Sequence, residues 1–296
     1  MPASPDGLLK LGIPKGSLED STLALFARSG WKISMRHRSY FPEVNDDTLS
    51  VHICRPQEMP RYVHEGVLDA GLTGKDWILE SKAGVRVVSD LVYSKTSNRP
   101  ARWVLAVAGD SPYKRAEDLA GKRIATEIMG LTRDYFAARG VTANIQYSWG
   151  ATEAKVVEGL ADAIVEVTET GATIRAHGLR VIDEVLVTNT QFIANPQAWS
   201  DPWKRGKIEQ IDLLLQGALR AESLVGLKMN APSANLNAIL ALLPALNSPT
   251  IAHLQDEAWL SLEIVVHTDV VRELLPRLVA AGAEGIIEYP LNKVIL

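Results

Sequence analysis

The chain has 296 residues, 47% hydrophobic and 22% charged, with a formal net charge of −4. That length implies about two or three domains of roughly 100–200 residues, and the composition is that of a globular protein with a core. The charge is mixed in sign along the chain, so no basic face speaks for nucleic acid, and no apolar run approaches the about 20 residues of a membrane span. An anionic substrate would need a local positive site. The opening MPASPDGLLKLGIPKG lacks a basic region followed by an apolar core, so it does not read as a secretory signal, and a cytoplasmic protein is expected.

In chain order, LLKLGIP reads as a short buried strand, and PKGSLEDSTLALFARSG as a turn and a helix closed by Gly30. TLSVHICR is a second strand, and its Cys54, with no Cys or His companion at metal spacing, reads as a buried structural thiol. A helix, a short strand into a glycine turn and another helix follow in RPQEMPRYVHEGVLDAGLTGKDWILES, and VRVVSDLVY is a third strand. Strands alternating with helices predict a largely parallel α/β sheet. From Arg102 the rhythm restarts through RWVLAVA, EDLAGKRIATE, LTRDYFAARG, NIQYSW, ATEAKVVEGL, DAIVEV and TGATIRAHG. VIDEVLVTNTQFIAN reads as a return strand pair crossing back to complete the first unit. Two such lobes leave a cleft between them, the usual place for a ligand.

IEQIDLLLQGALRAES then reads as a long amphipathic connector. LVGLKMN, PSANLNAILALL, SPTIAHL, WLSLEIVVH, VVRELLPRLVAAG and GIIEYPLNKVI form a βαββαβ pattern, the ferredoxin-like unit. The expected boundaries are residues 1–101 plus about 187–220 for the first lobe, 102–186 for the second and 222–296 for the C-terminal domain.

The most informative stretch is DAIVEVTETGATI, Asp162 to Ile174. A buried strand delivers its end to hydroxyls and a glycine, then to a helix. Gly171 permits close approach of a ligand to the backbone, and the following helix start is partially positive. Thr168, Thr170 and Thr173 add donors without charge, which together suits a phosphate monoester. An ordinary capped helix start uses the same residue types, and the loop alone does not choose between the two.

The longer run EAKVVEGLADAIVEVTETGATI resembles the signature of the ATP phosphoribosyltransferase family, with Glu153, Gly159, Ala161, Ile164, Thr170, Gly171 and Thr173 at its spacing. Glu166 stands where the family usually has Asp, and Ile174 where it usually has Leu or Met. LGIPKGSLED resembles the family's opening, with Ser17 in place of a common Arg. EGVLDAGLTGKDW resembles its D-x-G-I-x-G-x-D segment, and LAGKRIATE the segment before the inter-lobe helix, with Ile128 and Met129 replacing a commoner Tyr-Pro. The C-terminal pattern resembles the regulatory domain of the family's long form.

The resemblance implies a two-lobed, periplasmic-binding-protein-like catalytic core with a C-terminal ferredoxin- or ACT-like regulatory domain. It implies transfer of ribose 5-phosphate from phosphoribosyl pyrophosphate to N1 of ATP, the first step of histidine biosynthesis. Adenine N1 carries no proton, so no acid or base is assigned, and the six scattered histidines read as structural. By the same resemblance Thr168, Thr170, Gly171, Ala172 and Thr173 bind the 5-phosphate, Glu166 and Asp162 the ribose hydroxyls, Glu169 also contacts phosphoribosyl pyrophosphate, and Gly150, Ala151 and Thr152 lie near pyrophosphate. Lys15, Gly16, Ser17, Asp69, Gly74 and Lys75 serve ATP. Mg²⁺ rides on pyrophosphate rather than in a protein cage. Asn230, Leu246, Thr250, Val265 and Gly285 are the implied histidine-sensing residues, and dimers and hexamers the implied assemblies. The fold alone also suits a non-catalytic small-molecule-binding protein.

Overall fold

The computed structural model describes residues 7–34, 42–93, 100–244 and 249–295. Two compact units are present: residues 1–27 with 31–212, and 28–30 with 213–296. Unit 1 begins with β1 (Leu9–Pro14), α1 (Glu19–Ser29), the short strands β2 (Ile33–Ser34) and β3 (Glu43–Val44), and β4 (Leu49–Cys54). It continues through α2 (Met59–His64), β5 (Ala70–Gly74), α3 (Lys75–Ser81) and β6 (Arg86–Leu91). The second lobe holds β7 (Ala101–Ala108), β8 (Arg123–Thr126), α4 (Met129–Ala137), β9 (Asn144–Tyr147), α5 (Thr152–Val157), β10 (Ala163–Thr168), α6 (Ala172–Ala176) and β11 (Leu179–Thr188). Then come β12 (Thr190–Ala194), α7 (Pro196–Ser200) and α8 (Pro202–Ala221).

The five-stranded sheet of lobe I has the order β4-β1-β5-β12-β6, and that of lobe II β11-β7-β10-β8-β9. Both are mixed rather than largely parallel. β12 runs antiparallel to β5 and β6, and β7 antiparallel to β10 and β11. The cause is the crossing itself: a strand that enters a sheet from the neighbouring lobe arrives from the opposite end. The expected return pair also divides. β11 stays on lobe II against β7, and only β12 reaches lobe I.

Burial follows from the sequence of each strand. β7 is a near-continuous apolar run, and its alternate residues fill cores on both faces of its sheet. Trp103, Leu105 and Val107 pack on one face, and Val104 and Ala106 on the other. A strand covered on both sides needs no alternation. In lobe I, Gly12 and Gly71 are register partners on β1 and β5, and fully buried Met59 of α2 lies on them. Cys54 is half-buried beside Met59, and burial pushes its thiol up to about 12, so it is inert at neutral pH.

Unit 2 contains β13 (Leu224–Pro232), α9 (Leu236–Leu240), β14 (Thr250–His253), β15 (Trp259–His267), α10 (Thr268–Ala280) and β16 (Glu284–Pro290). The strand order β14-β15-β13-β16, antiparallel throughout, is the ferredoxin-like order expected from the βαββαβ pattern. Alternate residues of β13 and β15, among them Leu227, Met229, Leu262 and Ile264, form its core with Leu274 and Leu278 of α10. Among the described residues no helix is long and apolar enough to cross a membrane.

Candidate active site

A cleft of about 490 Å³ lies between the lobes of unit 1, where β5, β10 and β12 meet their connecting loops. Its lobe II wall is the end of β10 and the loop after it: Glu166, Thr168, Glu169, Thr170, Ala172 and Thr173. The hydroxyls shape this loop. Gly171 N–H donates to Thr168 Oγ1 at 2.8 Å, and Ala172 N–H to Thr170 Oγ1 at 3.3 Å. The hydroxyl hydrogens remain to donate to an anion. Gly171 has φ +73°, a left-handed conformation that favours glycine, and a Cβ there would displace only the tip of the Arg175 side chain.

Glu166 is the unusual titratable group. Burial and the like charges of Glu153 and Glu127 push its carboxyl up to about 7, against hydrogen bonds from the Thr152 hydroxyl and the Val167 N–H. The Thr152 contact brings the Gly150–Thr152 turn to Glu166. That turn is left-handed at Gly150 and Ala151, and buried Thr152 also pairs with Ser148 Oγ at 3.0 Å. The preceding Trp149 is exposed, and the Arg55 guanidinium of lobe I lies 5.4 Å from its ring centroid.

Ser17 and Gly74 of lobe I line the same cleft. Gly16 has φ +100° and donates to Glu19 Oε2 at 3.2 Å. Lys15 lines a different pocket of about 400 Å³ with His52, Arg55 and Tyr62. Lys75 opens α3, its N–H donating to the carbonyl of Asn189 at 3.0 Å.

Two expected carboxylates are elsewhere. Asp162 precedes the six-residue β10 and Thr168 ends it, a span of about 20 Å. Asp162 instead accepts from the Arg123 backbone at 2.8 Å and from its guanidinium at 3.1 Å, which holds its carboxyl below the usual range. Asp69 likewise lies before β5, opposite the cleft end, accepting from Lys10 N–H at 2.8 Å and Lys204 Nζ at 2.7 Å. Both acids tie strand starts together, and neither lines the cleft.

The acid of the same glycine pattern that does line the cleft is Asp76. It is buried, accepts from Trp103 Nε1 at 2.6 Å and Trp77 N–H at 3.1 Å, and its carboxyl is raised by burial. Trp77 and Trp103 meet edge to face at 6.1 Å. Tyr93, Glu127 and the crossing segment Thr188–Thr190 complete the wall. The rule that ligands bind outside the carboxyl ends of strands separates Asp76 from Asp69, and Glu166 from Asp162, in the sequence itself.

In unit 2, Asn230 and Gly285 share a cavity of about 770 Å³ with Asp256, Trp259 and Glu284. Thr250 and Val265 do not line it. They occupy exposed positions on the same face of the sheet, where Asn230 pairs with Ser261 and Thr250 with Glu263. Leu246 lies outside the described residues.

Two α/β lobes around a cleft walled by a hydroxyl-rich loop define a two-lobed α/β protein. A family model described as ATP phosphoribosyltransferase matches residues 55–217, and one described as its C-terminal domain matches 221–293. The chain is 71% identical over 292 residues to the ATP phosphoribosyltransferase of Nitratidesulfovibrio vulgaris (strain DSM 19637 / Miyazaki F), covering 99% of this chain and 100% of that one. It is 56% identical to that of Chlorobium luteolum, covering 97% and 98%. Among solved structures it resembles the ATP phosphoribosyl transferase (HisG:HisZ) complex from Thermotoga maritima, with TM-score 0.60 and 30% identity over 70% of this chain and 98% of that chain. The chain belongs to the ATP phosphoribosyltransferase family, in its long form with the C-terminal domain.

Proposed function

We propose that the protein transfers the 5-phosphoribosyl group from phosphoribosyl pyrophosphate to N1 of ATP, releasing pyrophosphate, as the first step of histidine biosynthesis. The observation that carries this reading at the level of residues is the Thr168–Thr173 loop on the wall of an inter-lobe cleft. Its Thr168, Thr170 and Thr173 hydroxyls donate to the 5-phosphate, and Gly171 lets the backbone approach it. Glu166 accepts from the ribose hydroxyls, its longer side chain reaching from the strand end. As the anomeric carbon is attacked, positive charge develops on the ring. The negative wall of the cleft stabilises that charge, and the lobes supply orientation. Glu166 is not a base, since N1 attacks through a lone pair.

Among the described residues the cleft wall carries Asp76, Glu127, Glu166 and Glu169 and no Lys, Arg or His side chain. Those carboxylates fit a substrate complexed with Mg²⁺. Glu166 and Glu127, both on the cleft wall, would hold the ion through water or directly. When bound it neutralises the leaving pyrophosphate. Among the described residues no three His, Cys, Asp or Glu side chains gather at metal-ligating spacing.

Lobe I (1–101 with about 187–220) faces ATP through Ser17 and Gly74, lobe II (102–186) holds the phosphoribosyl group, and the domain 222–296 senses histidine at Asn230 and Gly285. The protein works as a cytoplasmic homo-oligomer, a dimer or hexamer. The double variant Thr170→Val, Thr173→Val tests the loop. Removing two charge-assisted donors, each worth about 1.5–3 kcal/mol, raises the KM for phosphoribosyl pyrophosphate at least tenfold with an unchanged melting temperature. Unchanged kinetics would remove the loop from the site.

A further inference from the structure

α4 begins at Met129 behind Ile128, whose side chain has no oxygen with which to cap a helix. The N–H groups of its second and third residues, Gly130 and Leu131, donate at 2.8 Å each to the two carboxylate oxygens of Glu80, 50 and 51 residues earlier. These are the N–H groups that a helix's own capping residue ordinarily satisfies. Glu80 lies in α3 of lobe I, and α4 belongs to lobe II. The cap therefore passes from one lobe to the other. Gly130 is part of the arrangement, because a Cβ there would sit 3.1 Å from one Glu80 oxygen and 3.3 Å from the other.

The same short helix carries Asp76 and Trp77, which dock on Trp103 of lobe II in the floor of the cleft. α3 thus meets lobe II at two points, one inside the cleft and one behind it. The third charge contact, Lys82 to Asp134 at 3.9 Å, is exposed on both sides and holds little by comparison. Glu80 differs. Its carboxylate is half-buried, doubly bonded and at the positive end of a nine-residue helix.

We propose that Glu80 is a positioning residue for phosphoribosyl transfer, fixing lobe II against lobe I by capping α4 from the other side of the cleft. The inference rests on the transfer reading above. With the phosphoribosyl group held by lobe II and ATP against lobe I, the reacting atoms approach to about 3–3.5 Å only if the lobes are set correctly, and a misplacement of about 1 Å costs on the order of a hundredfold in rate.

The test is steady-state kinetics of the full chain with Glu80→Ala, Glu80→Gln and Gly130→Ala, beside the wild type. In Glu80→Ala, kcat falls about tenfold or more, while the KM for phosphoribosyl pyrophosphate, whose contacts lie on lobe II, stays within about twofold. Glu80→Gln, which keeps one acceptor oxygen, lies between, and Gly130→Ala reproduces the loss from the other side. Retained kcat in Glu80→Ala overturns the proposal. So does a rise in KM that accompanies the fall in kcat in the isosteric Glu80→Gln, because that pattern marks general disruption. A wild type that does not turn over refutes the transfer reading instead. The tie is then read from amide exchange at Gly130 and Leu131, whose protection falls in Glu80→Gln if the cap holds and persists if it does not.

Discussion

Glu166 concentrates the physical chemistry of the site. Its carboxyl moves from 4.5 to about 7, chiefly because burial disfavours the charge. The folded protein therefore binds a proton more tightly than the unfolded chain, and stability falls as pH rises from 4.5 towards 7, then levels. Glu166→Gln removes that penalty. Thermal melts at pH 5 and pH 8 should show the variant close to wild type at the lower pH and more stable by about 1–2 kcal/mol at the higher, after allowance for partial solvent screening. An equal difference at both pH values would mean that Glu166 is not perturbed. The same variant should lose transfer activity, a gain in stability at the expense of function. Residue types at the loop were legible in the sequence because Thr168, Thr170, Gly171 and Thr173 fall within six residues and lie together whatever the fold. Asp162 was not, because neighbours in sequence along a strand separate by over 3 Å per residue.

Elements are held by close backbone approach as much as by side-chain bulk. Met59 of α2 rests in the trough made by Gly12 of β1 and Gly71 of β5, and a Cβ would meet its sulfur at 2.2 Å from Gly12 and 2.5 Å from Gly71. Gly71→Ala should destabilise unit 1 by about 1–3 kcal/mol through overpacking, and Met59→Ala in the same chain should recover part of the loss. Denaturant melts of the double-mutant cycle measure this, with a coupling of about 0.5–3 kcal/mol expected; strict additivity would contradict the packing account. The elements themselves were legible from hydrophobic period and glycine punctuation, down to the βαββαβ order of unit 2. Their pairing directions were not. The sequence of β11 and β12 reads as one pair, and only the crossing segment Thr188–Thr190 separates them into two sheets. Glu80 was invisible for a related reason, since a helix without its own cap gives no hint of where the cap comes from.

At the scale of the molecule, a catalytic unit and a ferredoxin-like unit are carried by one chain, and the second has an exposed sheet face bearing Asn230, Thr250 and Val265. If that face senses histidine, initial rates should fall as histidine rises to millimolar concentration, and Asn230→Ala should need several-fold more effector. A rate independent of histidine would confine unit 2 to assembly. Whole-chain likeness was the most legible property, because motifs from Leu11 to the last strand fall in one order, whereas inter-lobe contacts such as Asp76 to Trp103 depend on tertiary folding. The central claim is tested most directly by mixing the purified protein with ATP, phosphoribosyl pyrophosphate and Mg²⁺ and following the absorbance of the N1-substituted adenine product. Product accumulating only when all three are present is the predicted result. No product from a protein that still binds phosphoribosyl pyrophosphate would contradict it and leave a binding protein in this fold.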